Sequence, residues 1–206
     1  MLIFTDKRLA FLAVPKTGTT AVEMALRRKA DIVFSKRRKH ITATRFRNKI
    51  APFLKDTFDL RVETVAVMRD PVDQIRSWYK YRKSERQKGK ENSTDGMDFD
   101  AFVEAVIEKN PPPFADIGSQ HSFLCNKRGQ LLVHHLFAYE QQDAFLEFLS
   151  GRLGSGIELE QKNVSPDAEA VLSTSVLDRL RDARAAEFEL YDKLLAREGY
   201  LEGEAT

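Results

Sequence analysis

LAFLAVPKTGTTAVEMAL, from Leu9 to Leu26, is the stretch on which the reading of this chain turns. Its first six residues, Leu9 to Val14, are apolar on both alternating faces, as in a strand covered on both sides. Pro15 to Thr20 form a tight turn, and Thr19 to Arg28 read as a helix with Val22, Ala25 and Leu26 on one face. Such a turn presents a helix N-terminus whose first N–H groups have no backbone partners and whose dipole is positive at that end. Gly18 lets the backbone come close to a ligand, Lys16 adds a full charge, and Thr17, Thr19 and Thr20 add hydroxyl donors. Taken alone, the turn has two readings: a cradle for phosphate or sulfate, or a plain strand–turn–helix connection with a capping threonine.

The loop is not of the G-x-x-x-x-G-K-[ST] type. Its lysine precedes Gly18 by two residues, and no glycine stands five places before that lysine. A nucleoside triphosphatase is therefore not the natural reading.

Composition narrows the class. A chain of 206 residues is expected to form a single domain, 1–206, with a substantial core. No apolar run is long enough for a membrane span, and the opening MLIFTDKR places charges where a signal peptide needs an apolar region. A lone cysteine, Cys125 in SFLCNK, cannot form an internal disulfide and reads as an inert, partly buried thiol; a reducing, cytoplasmic setting is expected. Net charge is only +2, but Arg27 to Lys49 is dense in lysine and arginine with one acid, Asp31, and a second basic run covers Arg76 to Lys90. Most of these charges read as solvated faces. Two basic runs beside a phosphate-type turn would also raise the local concentration of an anionic ligand. Aromatics are not interleaved in the runs as a nucleic-acid stacking platform requires.

Beyond the opening stretch, Asp31 to Phe34 reads as a short strand and Thr42 to Leu54 as a helix. Arg61 to Met68 reads as a second clear strand ending in Arg69-Asp70-Pro71, with Asp70 as cap and proline in the first turn of the next helix. Lys88 to Asp98 reads as a mobile surface loop, Phe99 to Lys109 as an amphipathic helix, and Asn110 to Pro113 as its break. Gln130 to Tyr139 reads as a third strand, Gln141 to Leu149 as a helix, Ile157 to Leu159 as a small strand, Gln161 to Pro166 as a loop and Val176 to Arg197 as one closing helix. Strands alternating with helices predict an α/β fold with a mainly parallel central sheet flanked by helices in three layers. Ligands in such sheets bind at the carboxyl ends of strands, so neighbouring first and second strands would bring Lys16 and Arg69 to one crevice. Ser77, about two turns into the following helix, would join them. Two anion sites suggest a ligand with two charged groups.

These stretches resemble the sulfotransferases that use 3′-phosphoadenosine 5′-phosphosulfate (PAPS). PKTGTT is similar to their 5′-phosphosulfate loop, and RDPVDQIRSWYKY to their 3′-phosphate motif, an arginine ending a strand and a serine eight residues on, here Arg69 and Ser77. KHITA (Lys39 to Ala43) and the order Gln120, Gly129, strand, Glu140, Asn163-Val164-Ser165 are similar to the branch with carbohydrate sulfotransferases and bacterial relatives. The resemblance implies a P-loop-like domain with PAPS as donor, adenosine 3′,5′-bisphosphate (PAP) as product, no metal, and a small-molecule or saccharide acceptor. It assigns Lys16, Thr17, Gly18, Thr19, Thr20, Arg69 and Ser77 to the donor, and Lys16 also to catalysis.

Sulfuryl transfer asks a protein for positioning and charge stabilisation, and for a base that takes the acceptor's proton. His40, in KHITA, is the expected base; the competing reading makes it one more member of a basic surface run. Glu23 is a second candidate base, although on a helix of this spacing it is expected to face solvent. His134 and His135, adjacent on a strand, are expected to point one to the core and one to the surface. His121 has no fixed role, and Lys162 reads as a third donor contact or a solvated lysine. Two rivals stay open: a P-loop-type kinase with a degenerate loop, and a non-catalytic module for anions or polyanions.

Overall fold

The computed structural model describes residues 1–154, 156–157 and 170–203. Its strands form one sheet: β1 (Leu2–Phe4), β2 (Leu9–Leu12), β3 (Ile32–Val33), β4 (Glu63–Met68), β5 (His135–Ala138) and β6 (Tyr200–Glu202), in the spatial order β3-β1-β2-β4-β5-β6. β2, β4 and β5 are parallel neighbours, whereas β1, β3 and β6 pair antiparallel. The sheet is thus mixed, not mainly parallel as the alternation of elements suggests. The cause is local: β1 and β2 are joined by a tight turn, Thr5 to Arg8, far too short for the crossover that a parallel pair needs.

The helices are α1 (Thr19–Leu26), α2 (Ala43–Arg45), α3 (Ala51–Phe58), α4 (Pro71–Arg82), α5 (Phe99–Ile107), α6 (Gln120–Leu124), α7 (Gln142–Leu153), α8 (Thr174–Ala183) and α9 (Ala185–Leu195). A π-helical turn, Phe46–Ile50, joins α2 to α3. Strand alternation divides the core between the two faces of the sheet. Ala10, Leu12, Ala66, Met68, Leu136 and Ala138 face Leu54, Leu124, Tyr191 and Leu194. Leu9, Phe11, Val65, Val67 and Phe137 face Val22 and Leu26 of α1 and Phe145 and Leu149 of α7. Helices therefore cover both faces, an α/β arrangement. A third cluster joins α4, α5, α8 and α9 through Ile75, Tyr79, Phe102, Leu180 and Phe188.

Several sequence expectations change. β5 starts at His135 rather than Gln130, because Leu131 and Leu132 turn aside to pair with Cys125 and Leu124. The closing helix is two helices, broken at Arg184 (φ −120°, ψ 30°). Lys88 to Asp98 is tied down at its far end: Thr94 is buried and donates to the Tyr79 carbonyl, and the Tyr79 hydroxyl donates to that of Met97. His134 and His135 do point to opposite faces, but both are half-buried. The Thr64 N–H donates to His134 Nδ1, and His135 lies against Tyr200 and Glu63. Cys125 is buried, and burial pushes its thiol up to about 11, as an inert thiol requires. The small strand ending at Leu159, the loop Gln161 to Pro166 and Lys162 lie outside the described residues, wholly or in part. No helix among the described residues is long and apolar enough to cross a membrane.

Leu136 is fully buried at the centre of β5. Leu136→Ala is expected to cost about 2–5 kcal/mol in urea unfolding. A loss well under that range would show that the sheet's inner face packs less tightly than its burial indicates.

Candidate active site

The parallel register of β2 and β4, with Leu12 opposite Ala66, brings both strands to an end at one sheet edge. Beyond β2 the chain bends through Lys16 (φ 67°) and Gly18 (φ 71°) into α1. A left-handed lysine is strained by about 1–3 kcal/mol and persists only where its surroundings hold it. Here they do: Thr17 Oγ1 donates to the Val14 carbonyl (3.0 Å), and Gln74 Nε2, from α4, donates to that of Pro15 (3.2 Å). Among the described residues, the N–H groups of Thr17 to Thr20 find no acceptor, and no side chain caps α1. The first end of the site is therefore a set of open N–H donors at a helix start.

Lys16 projects over two rings of α4, its Nζ 4.4 Å from the centroid of Tyr81 and 5.4 Å from that of Trp78. Burial, then the charges of Arg69 and Arg82, lower its pKa to about 8. Arg82 is itself buried, over Trp78, and its guanidinium donates to the carbonyls of Pro113, Phe114 and Asp116, stapling that loop to α4.

Arg69 follows β4. Gln120 holds its backbone from both sides: the Arg69 N–H donates to Oε1 (2.9 Å), and Nε2 donates to the Arg69 carbonyl (2.8 Å). The next N–H, that of Asp70, donates to Glu140 Oε1 (3.1 Å). Asp70 caps α4 as its sequence predicts, accepting from the Asp73 N–H. The Arg69 side chain lies over the Tyr139 ring (4.7 Å), and its Nε is buried with no hydrogen-bond partner. Trp78 Nε1 shares that state. Tyr139 also touches the first loop: a Cβ placed on Gly18 would come 3.0 Å from its Cε2. One tyrosine at the end of β5 thus separates the lysine turn from the arginine. Ser77 is half-buried on α4, and among the described residues its hydroxyl has no hydrogen-bond partner.

The Lys39-His40 segment is pinned to both ends of the lysine turn. His40 Nδ1 lies 2.7 Å from the Ala13 carbonyl, before the turn, and Lys39 Nζ lies 3.3 Å from Thr20 Oγ1, after it. A carbonyl only accepts, so Nδ1 carries the proton and Nε2 keeps a free lone pair. Burial of the ring lowers the His40 pKa; the Ala13 bond opposes this, and the charges on Lys39 and the N-terminal amine add to it. Glu23 does not face solvent as expected: it is held in an ion pair with Lys39 (3.3 Å).

Sequence reading singled out Lys16, the threonines, Arg69 and His40, but not Gln74, Trp78, Tyr81, Arg82 or Tyr139. Tyr139 was open to discovery from its place at a strand's carboxyl end. Trp78 and Tyr81, three residues apart on one helix, share a face with no mark of what they face. The arrangement offers a ligand open N–H groups, two cations and an unpaired guanidinium N–H.

The model of the sulfotransferase family matches residues 1–192. No curated protein and no solved structure matches the chain. The family match takes in every strand but β6 and both strand-end loops, and so this chain belongs to the sulfotransferase family.

Proposed function

We propose that this protein moves a sulfuryl group from PAPS to a hydroxyl of a small-molecule or saccharide acceptor, on a P-loop-like domain. The observation that carries the reading is Arg69 Nε, buried without a partner, across Tyr139 from a lysine turn whose N–H groups are open. Two cationic ends on one sheet edge match a donor with an anion at each end. Lys16 and the N–H groups of Thr17 to Thr20 would hold the phosphosulfate; Arg69 and the Ser77 hydroxyl would hold the 3′-phosphate.

PAPS supplies an activated sulfuryl group. The acceptor oxygen attacks sulfur, the bond from sulfur to the phosphate oxygen breaks, and the electron pair leaves on PAP. The chain's part is to align acceptor and donor, to place the Lys16 ammonium against the charge on the leaving oxygen, and to take the acceptor's proton on His40 Nε2. With Nδ1–H committed to the Ala13 carbonyl and its pKa below the usual 6.5, His40 is neutral, and a base, at pH 7.

Calorimetry with PAP is expected to show binding that weakens roughly tenfold or more in Lys16→Ala and in Arg69→Ala. ADP, which lacks the 3′-phosphate, is expected to bind more weakly; equal affinity for ADP would sink the reading. Lys16 also sets a pH dependence. Its pKa of about 8 in the free protein rises when an anion arrives, so binding takes up a proton near pH 8 and weakens as pH climbs above it. Lys16→Arg, charged throughout, is expected to remove that dependence.

His40→Ala is expected to lower turnover by about a hundredfold or more with PAP affinity retained. In the unaltered protein the rate is expected to fall only as pH drops through the lowered His40 pKa, below the usual imidazole value, and the ring protonates. A His40→Ala variant with normal turnover would remove it as the base.

A further inference from the structure

The end of the sheet opposite the lysine turn carries a second feature. Thr64, near the start of β4, lies five residues before Arg69, about 16 Å away along an extended strand. A groove of about 600 Å³ opens at this end, within the range of small-ligand sites. Phe46 from the π-helical turn, Pro52 from α3, and Val62 and Leu132 give it apolar walls. Among the described lining residues, the charged ones are Lys55, Arg61 and Arg47 against Asp56. Lys55 and Arg61 line the groove and are exposed to solvent.

His134 adds a donor. The Thr64 N–H donates to its Nδ1 (3.0 Å), and Thr64 Oγ1 accepts from the His134 N–H (3.2 Å). A ring that accepts at Nδ1 carries its proton on Nε2 when neutral. Among the described residues, no acceptor meets that Nε2–H. The π-helical turn that supplies Phe46 and Arg47 is a further mark, since single π turns inside helices are frequent at functional sites.

We infer that this groove binds an organic anion with an aromatic or alicyclic body: the apolar walls take the ring, Lys55 and Arg61 take the anionic group, and His134 Nε2–H donates to it. The site is separate from the loops at the other end of β4, and it stands or falls independently of the proposed sulfuryl transfer.

The test titrates the full chain with 8-anilinonaphthalene-1-sulfonate, with PAP in excess to occupy the other anion site. The expected result is saturable one-to-one binding with blue-shifted emission. It should weaken roughly tenfold or more in the double variant Lys55→Glu/Arg61→Glu and persist in Lys16→Ala. Both altered positions are exposed, and thermal melting by circular dichroism checks that the variant is folded. Emission that never saturates, unchanged affinity in the double variant, or loss of binding in Lys16→Ala would each overturn the inference. Inorganic sulfate is expected not to compete; displacement on equal terms would overturn the assignment of an apolar body. If PAP fails to bind at all, the Lys16→Ala arm still separates the two sites.

Discussion

One buried amide holds the turn on which the site depends. Gln120, 1% exposed, meets both the N–H and the carbonyl of Arg69 with its own two polar atoms. Away from water such a match gives both polar atoms of the side chain a partner and fixes the backbone in two directions. Its hold passes backward through the fold. The Gln120 N–H donates to Glu187 (2.7 Å), a carboxylate 2% exposed that no chain would bury alone, and Arg184 pairs with it (3.2 Å). Arg184 is also where α8 breaks from α9. Four residues beyond Glu187, and so on the same face of α9, Tyr191 donates to Glu140 (2.7 Å), the acceptor for the Asp70 N–H. Helix α9 thus stands behind the Arg69-Asp70 turn at two points, and its separation from α8 is part of that support.

A rigid backbone under Arg69 makes its unpartnered side chain meaningful. A loose arginine would turn its Nε to water. Here the turn is fixed, the plane lies over Tyr139, and the nitrogen stays dry. Lys16 is the same case on the other strand, left-handed in backbone, desolvated over Tyr81 and Trp78, and repelled by Arg69 and Arg82. Each feature costs stability on its own. An anion placed between them would offset the repulsion and the desolvation of the two cations together.

The parts of the fold that can be read in the sequence are those with one local cause. β2, its turn and α1 follow from apolar residues on both faces, a glycine and a helix start; Asp70-Pro71 marks α4 in the same way. β1 and β6 are three residues long, and their pairing depends on the sheet already being there; β3 is legible as a strand within Asp31 to Phe34, but not its partner. The break at Arg184 stands beside a carboxylate, Glu187, that meets Gln120 67 positions away, and periodicity runs straight through it. The site divides along the same line. Lys16, Arg69 and His40 lie in short recognisable runs. Gln74, Arg82 and Tyr139 matter for what they touch across the fold, and no local pattern records that. Gln120 and Glu140 appear in the sequence only as members of a resemblance; their hydrogen bonds to Arg69 and Asp70 supply the physical reason.

The position of His40 follows from the same economy of backbone contacts. Its tautomer is set by the Ala13 carbonyl, on the strand that leads into the lysine turn, and its neighbour Lys39 reaches Thr20 just after that turn. A shift of the turn would therefore move the histidine and the lysine loop together. Its protonation is set chiefly by burial, which lowers the pKa, against the same Ala13 bond, which raises it; Lys39 pushes the pKa down and Glu23 up. Because Lys39 and Glu23 are paired with each other, their opposed effects on the ring offset, and burial is left to decide. One strand thus orients the ring and also pulls its pKa up, and burial outweighs that pull. That balance lets a histidine embedded in a strongly basic run stay neutral at pH 7.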